Sequence, residues 1–533
     1  MTRRAVVAAG AAGGLALALP GERWWGLGSA SSLAAGQPMR FAARLPVPDV
    51  ISAADITLTA RESEVQVLPG RKTRMWTYGG SFPGPTIRRP SGETTSLTLR
   101  HRLPRAGRLT LHLHGGHNTE ADDGQPGGPT KSDRNALYCK LTRGSTAAAN
   151  RFLIAPGKQR RYRFAAREDG ADERAAFQWY HDHRCGKTAE NIWRGLAGMW
   201  ILDDDHDRSL PLPEGRRDLA LMVSDRSFDR DNQLTDAYER SGEPPFDGTK
   251  GSRVLVNGKW LPYHPVEPVR HRVRVLNASL FRSYNLALPD NAEFTLIGTD
   301  SGLLPAPMDL TRMLIGPGER VELIVDFAQF RGTNVTNVVL SSRPRSPAPS
   351  PSGFGAQSYD GPLMQFRVSS TSVTDNSEVP SSLRPLPTWT EQVDSNDEPG
   401  FTWELGVAGT FGPRTWTING KGFDPSRVDR RVKLGSIPVW RLANPTPTAH
   451  LMHLHHTDWY VLRRERILDG GGFETVPTKP GDELKDTFFL DPKESIVVAG
   501  KISDYLGKFI VHCHMLDHED HGLMSQFEVV PAS

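Results

Sequence analysis

The segment Val511-His512-Cys513-His514-Met515-Leu516-Asp517-His518 places one cysteine between two histidines, with a third histidine five residues beyond the cysteine. Thiolate sulfur and imidazole nitrogen are ligands for redox-active transition metals. The preceding Gly507-Lys508-Phe509-Ile510-Val511 reads as a strand, apolar, β-branched and opened by glycine. Side chains alternate faces along a strand, so His512 and His514 point one way and Cys513 the other. One short segment can therefore serve two metal sites a few covalent bonds apart. A second stretch, His450-Leu451-Met452-His453-Leu454-His455, supplies partners. If extended, it presents His453 and His455 on one face and His450 on the other. Cys513, His450 and His518 then make a trigonal set of one thiolate and two imidazoles, which is blue-copper geometry.

Two more pairs lie in the N-terminal third, His112-Leu113-His114-Gly115 and Tyr180-His181-Asp182-His183. Seventeen histidines in 533 residues scarcely produce one His-x-His pair by chance, yet the chain has four. The pairs offer eight imidazoles, enough for a centre of several metal ions. Zinc also binds histidine clusters, but paired imidazoles in this number exceed any single tetrahedral zinc site. A lone buried cysteine is ordinarily core packing. The histidines on both sides of Cys513 argue instead for a ligand.

These segments resemble the multicopper oxidases, and within them the bacterial laccases of the spore-coat type, the bilirubin oxidases and the phenoxazinone synthases. The resemblance runs from about Ile56 to the C-terminus. It includes Gly115-Gly116 after the first pair, Gly195-Leu196-Ala197-Gly198, Val256-Asn257-Gly258-Lys259 and His518-Glu519-Asp520. It implies an all-β chain of three consecutive cupredoxin-like Greek-key β-sandwich domains, with ligands confined to the first and third. It also implies four copper ions. By position, His450, Cys513 and His518 hold the type 1 ion, and His112 and His453 the type 2 ion. His114, His181, His183, His455, His512 and His514 hold the type 3 pair. Asp123 and Glu519 match positions that relay protons in the family. Two positions depart from the family pattern. The axial methionine, five residues after the second type 1 histidine, is Leu523 here, with Met524 next. We expect Leu523 to face the metal; the alternative is a one-residue shift of the loop. Leu451 stands where the family carries proline.

Length allows about three domains of roughly 150 residues each. The 38% hydrophobic fraction suits a globular protein, and a formal charge of +3 gives no reason to propose nucleic acid or an anionic membrane as partner. Cys139 and Cys185 either pair in an oxidising compartment or remain buried thiols, and the sequence leaves both open. Met1-Thr2-Arg3-Arg4 precedes an apolar run to Leu19, too short to span a bilayer. It reads as an export signal of the twin-arginine type. The expectation is a periplasmic, cell-envelope or secreted protein with no membrane span once mature.

Residues 1–45 are assigned to this signal and an N-terminal arm. Domains are expected at 46–205, 216–370 and 385–533. The first shows short alternating strands such as Leu97-Thr98-Leu99 after the Pro83-Gly84-Pro85 turn, and Asp203 to Gly215 reads as a linker. In the second, Arg272-Val273-Arg274-Val275 alternates, Gly316-Pro317-Gly318-Glu319 marks a turn, and a Pro/Ser-rich loop runs from Pro344 to Gly355. In the third, Thr417-Ile418-Asn419-Gly420-Lys421 echoes Val256-Asn257-Gly258-Lys259, the mark of a repeated unit. His264 and His271 of the middle domain lack ligand spacing, and His101 and His206 read as ordinary polar positions. His117, His456 and His521 adjoin the motifs without their spacing, which suggests supporting or surface positions.

The resemblance implies a laccase-like oxidase coupling one-electron oxidation of phenols or aromatic amines to four-electron reduction of O2 to water. Its partners are a small reducing molecule and O2. A metallo-oxidase for Cu(I) or Mn(II) should carry a Met-rich loop, and the 11 methionines are scattered. Specificity of the bilirubin oxidase or phenoxazinone synthase kind is a further alternative. A two-domain nitrite reductase should lack the full set of pairs. A non-catalytic structural relative should have lost ligands, yet every candidate ligand is present.

Overall fold

The computed structural model describes residues 41–129, 139, 144–235, 248–331, 336–344, 359–409 and 414–532. The export signal and most of the Pro/Ser-rich loop lie outside them. Among the described residues no helix is long and apolar enough to cross a membrane.

Strands dominate, and they pack as sheets over three apolar cores. In the first sandwich a five-stranded sheet runs Val50–Ile51, Gly84–Pro90, Ala197–Asp203, Ala176–His181, His112–His114. It packs on a four-stranded sheet of Thr73–Tyr78, Asp55–Val65, Thr95–His101 and Gln159–Phe164. Alternation explains the second sheet: Ile56, Leu58 and Ala60 are buried while Asp55 and Thr57 are exposed. The buried set packs with Leu97, Leu99, Tyr180 and Trp200.

The middle sandwich sets a seven-stranded sheet, including Asp218–Arg226, Arg270–Asn277 and Arg320–Asp326, against a six-stranded one. Val273, Val275, Leu323 and Val325 fill its core with Leu286, Leu340 and Phe366. Arg272 and Arg274, pointing the other way, are buried too. Arg272 grips Asp207 and Glu322, and Arg274 grips Asp218 and Glu322. The Asp/Pro-rich stretch expected as a linker thus covers this face: Asp204 caps a short helix, Asp205–Ser209, by accepting the Asp207 N–H at 2.7 Å. The N-terminal arm adds Ala43–Arg44 as a parallel edge strand beside Pro262–Val266.

The third sandwich packs a seven-stranded sheet on a five-stranded sheet of Arg430–Lys433, Met524–Val530, Gly507–Cys513, His450–Leu454 and Thr487–Leu490. Trp403, Trp440, Val498, Phe509 and Phe527 fill its core. The sequence echo has a physical counterpart here. Asn257-Gly258 and Asn419-Gly420 all have positive φ, as a tight hairpin turn requires. Each asparagine side chain also accepts a backbone N–H, from Met222 and Glu404 respectively, and donates to a carbonyl of that same strand, Ala220 and Thr402.

Candidate metal centre

The four His-x-His pairs sit where sheets of the first and third sandwiches meet. His112–His114 is an edge strand whose His112 registers with His181. His450–Leu454 pairs with Gly507–Cys513, His453 opposite His512 and Met452 opposite Cys513. Across the seam, the rings of His112 and His455 stack at 4.0 Å, and those of His114 and His453 at 3.7 Å. Every residue of His450–Leu454 is buried, so both faces of that strand are covered by protein.

On one face stand His450, Cys513 and His518. Cys513 Sγ lies 3.5 Å from His450 Nδ1 and 3.8 Å from His518 Nδ1, and the two nitrogens are 3.2 Å apart. A point about 2 Å from all three atoms exists within this triangle, which is metal–nitrogen and metal–sulfur bonding range. Burial pushes the metal-free Cys513 thiol up to about 12, against backbone N–H bonds from Leu451 and Met515. Burial also lowers His450 to about 3, keeping the ring neutral and leaving one nitrogen open to a metal.

On the other face are the eight imidazoles, all buried. His112 Nε2 is 3.4 Å from His453 Nε2. His512 Nε2 lies 3.2 Å from His183 Nε2 and 3.4 Å from His455 Nε2. His114, His181 and His514 form a third corner, with ring centres 4.8 to 5.8 Å apart. His114 Nδ1, His181 Nε2 and both His514 nitrogens have no hydrogen-bond partner. Buried polar atoms are nearly always paired, so these orphans mark places for a ligand. The outer nitrogens are held by backbone carbonyls: His112 Nδ1 by Asp123 O at 2.7 Å, His181 Nδ1 by Asp182 O and His453 Nδ1 by Asp486 O at 2.9 Å each.

Both expected acids touch this cluster. Asp123 Oδ2 is 2.7 Å from His455 Nδ1, and Oδ1 is 3.5 Å from His112 Nδ1. Burial raises the Asp123 carboxyl to about 6. Glu519 Oε2 is 3.1 Å from His512 Nδ1, while Oε1 accepts the Thr188 hydroxyl at 2.6 Å. Burial raises this carboxyl too, against the pull of His183. The neighbouring Asp520 accepts the Thr188 and Ala189 N–H groups of the helix Thr188–Arg194, which ties the first sandwich to the third.

Leu523 packs in the same apolar cluster as Cys513, whereas Met524 packs with the disulfide and Phe423. Cys139 and Cys185 form that disulfide, their Cα atoms 6.4 Å apart. His117, His456 and His521 are buried, not on the surface. Other contributors carry no motif. Trp416 lies over His518 with ring centres 4.4 Å apart and meets His450 edge-on at 4.8 Å. Gly318, at positive φ, abuts His514, and a Cβ there would sit 2.8 Å from the ring. Asp486 of the third sandwich reaches His114, and Arg320 of the middle sandwich holds Asp486. Of these, the glycine turn alone had a sequence signal.

One thiolate with imidazoles, and eight imidazoles clustered beside it, form a donor set suited to copper. Two family profiles described as multicopper oxidase match residues 59–136 and 401–533. A laccase of Bacillus subtilis is 29% identical, over 92% of this chain and 98% of that one. A bilirubin oxidase of Albifimbria verrucaria is 30% identical, over 84% of this chain and 72% of that one. The crystal structure of a laccase from Pediococcus acidilactici matches with a TM-score of 0.73 at 28% identity, covering 91% of this chain and 93% of that chain. With the clustered ligands, these likenesses place the chain in the multicopper oxidases, copper-dependent oxidoreductases built from cupredoxin-like β-sandwiches.

Proposed function

We propose that this protein is a laccase-like oxidase that takes single electrons from phenols or aromatic amines and reduces O2 to water. His450, Cys513 and His518 would hold one type 1 copper, His112 and His453 one type 2, and His114, His181, His183, His455, His512 and His514 the type 3 pair. Copper, when bound, supplies one-electron uptake at the first centre and four-electron reduction of O2 at the second. Cys513 has its sulfur against His450 and His518, and its peptide neighbours His512 and His514 belong to the eight-imidazole cluster. This adjacency is the observation that carries the reading, because it gives the shortest covalent route between the centres.

The residues around the centres fit their tasks. Trp416 and Phe281 rings cover His518, which is 1% exposed, and so shield the first centre from water. Asp123 and Glu519 stand within reach of ligand Nδ1 atoms, where each can take and give a proton. Domains at 46–205, 216–370 and 385–533, and twin-arginine export read from Arg3-Arg4, complete the proposal. Loss of export on replacing both arginines by lysine would support the route.

The decisive test is O2 uptake by copper-loaded protein with aminophenols, bilirubin or Mn(II) as donors. Cys513→Ser should abolish both the blue absorption and turnover. Retention of either by that variant would overturn the reading.

A further inference from the structure

The middle sandwich contributes none of the candidate ligands, yet Arg320, the first residue of the strand Arg320–Asp326, lies fully buried beside the cluster. Its five N–H donors all have acceptors. Nη1 and Nη2 grip the Asp486 carboxylate at 2.7 and 2.5 Å, and Nε donates to Phe177 O at 2.9 Å. Gly318 O and Asp300 O take the remaining two, at 3.1 and 3.0 Å. Phe177 belongs to the first sandwich and Asp486 to the third, so this guanidinium joins all three at one point.

Asp486 passes that placement to a ligand. Its Oδ1 is 3.2 Å from His114 Nε2, and the Thr487 hydroxyl, 3.1 Å from the same nitrogen, donates to Asp486 Oδ1 at 2.7 Å. A carboxylate only accepts hydrogen bonds. Facing it, His114 Nε2 must carry the proton, which leaves the lone pair on Nδ1, the buried nitrogen without a partner. His112, His181 and His453 have the opposite arrangement, with Nδ1 held by a carbonyl and Nε2 turned inward.

Resting on the copper reading above, we propose that the middle sandwich selects the metal-binding atom of His114. Arg320 is a positioning residue: it holds Asp486 as the carboxylate that accepts the Nε2–H hydrogen bond of His114 and leaves Nδ1 for the metal. Partners of this kind typically change metal affinity by about 10- to 100-fold.

The experiment compares Arg320→Met, Arg320→Lys and Asp486→Asn with a control, Arg274→Met. The control breaks a buried ion pair of the same sandwich, with Asp218 and Glu322, away from the cluster. Copper per chain, the paramagnetic resonance spectrum, the blue absorption and the melting temperature are read for each. Arg320→Met and Asp486→Asn should lose copper from the imidazole cluster and change its spectrum while the blue absorption persists. Arg320→Lys, which keeps the charge but loses the fork, should do so less. Copper content and spectra no different from Arg274→Met at equal loss of melting temperature would overturn the proposal. Should Arg320→Met fail to fold, the same comparison with Asp486→Asn and Arg320→Lys decides. Absence of blue absorption in the unaltered protein would instead overturn the copper reading itself.

Discussion

Leu451 O accepts the His514 N–H at 2.5 Å, a bond that joins the two ligand-bearing strands. In a strand, the N–H and C=O of one residue face the same neighbour. The Leu451 N–H is therefore aimed at the Cys513 side, and it bonds the sulfur. Hydrogen bonds to a cysteine ligand tune copper potential, and withdrawing charge from sulfur favours the reduced ion. Leu451→Pro, which restores the residue the family carries, removes this donor. The type 1 potential should fall; a differential of about 1 kcal/mol is roughly 40 mV for one electron. Leu451→Ala keeps the N–H and should keep the potential. Redox titration of the blue band checks both, and equal potentials in the two variants would refute the assignment.

The axial position gives a second prediction. Leu523 shares the Cys513 cluster and Met524 points into the Cys139–Cys185 cluster. Leu523→Met should place a thioether beside the type 1 ion, lower its potential and alter its resonance spectrum, at a stability cost under about 1.5 kcal/mol. Met524→Leu should leave that spectrum unchanged. If Met524→Leu alone perturbs it, the axial side has been assigned to the wrong residue.

How much of this was legible in the sequence follows from range. Metal ligation demands particular residue types at two-residue spacing on a strand, so the four His-x-His pairs, Cys513 and His518 could be read from local pattern. Asp123 and Glu519 came from the family resemblance alone. Arg320 and Asp486 had no signal at all. They are separated by 166 residues, and their partnership exists because two sandwiches dock. Trp416 was hidden for the same reason. The pairing of Cys139 with Cys185 also depended on a fold-level distance that spacing cannot supply.

Proton delivery should separate from electron uptake. Asp123→Asn and Glu519→Gln keep shape and remove the exchangeable acid beside His455 and His512. Each should slow reoxidation by O2 by roughly 10²-fold, while reduction of the blue centre by a donor keeps its rate. Stopped-flow absorbance follows the two steps apart. An unchanged reoxidation rate in both variants would remove these acids from the mechanism.

The fall of stability from acid to neutral pH should report on Glu173, which is 5% exposed. Its Oε1 accepts the Gln178 side-chain N–H at 2.7 Å. Burial raises its carboxyl to about 8; His117 opposes this, while Glu168 and Asp458 add to it. The unfolded chain releases the same proton near the ordinary value of about 4.3. Between these values the native state holds a proton that the unfolded state has lost, so stability falls as pH rises through the window. The slope is at most about 1.4 kcal/mol per pH unit. Glu173→Gln retains an acceptor for Gln178 and removes the titration. Its melting temperature should exceed that of the unaltered protein at pH 8 by more than at pH 5. An equal difference at the two pH values would mean that Glu173 is already ionised in the folded chain, its charge met by His117.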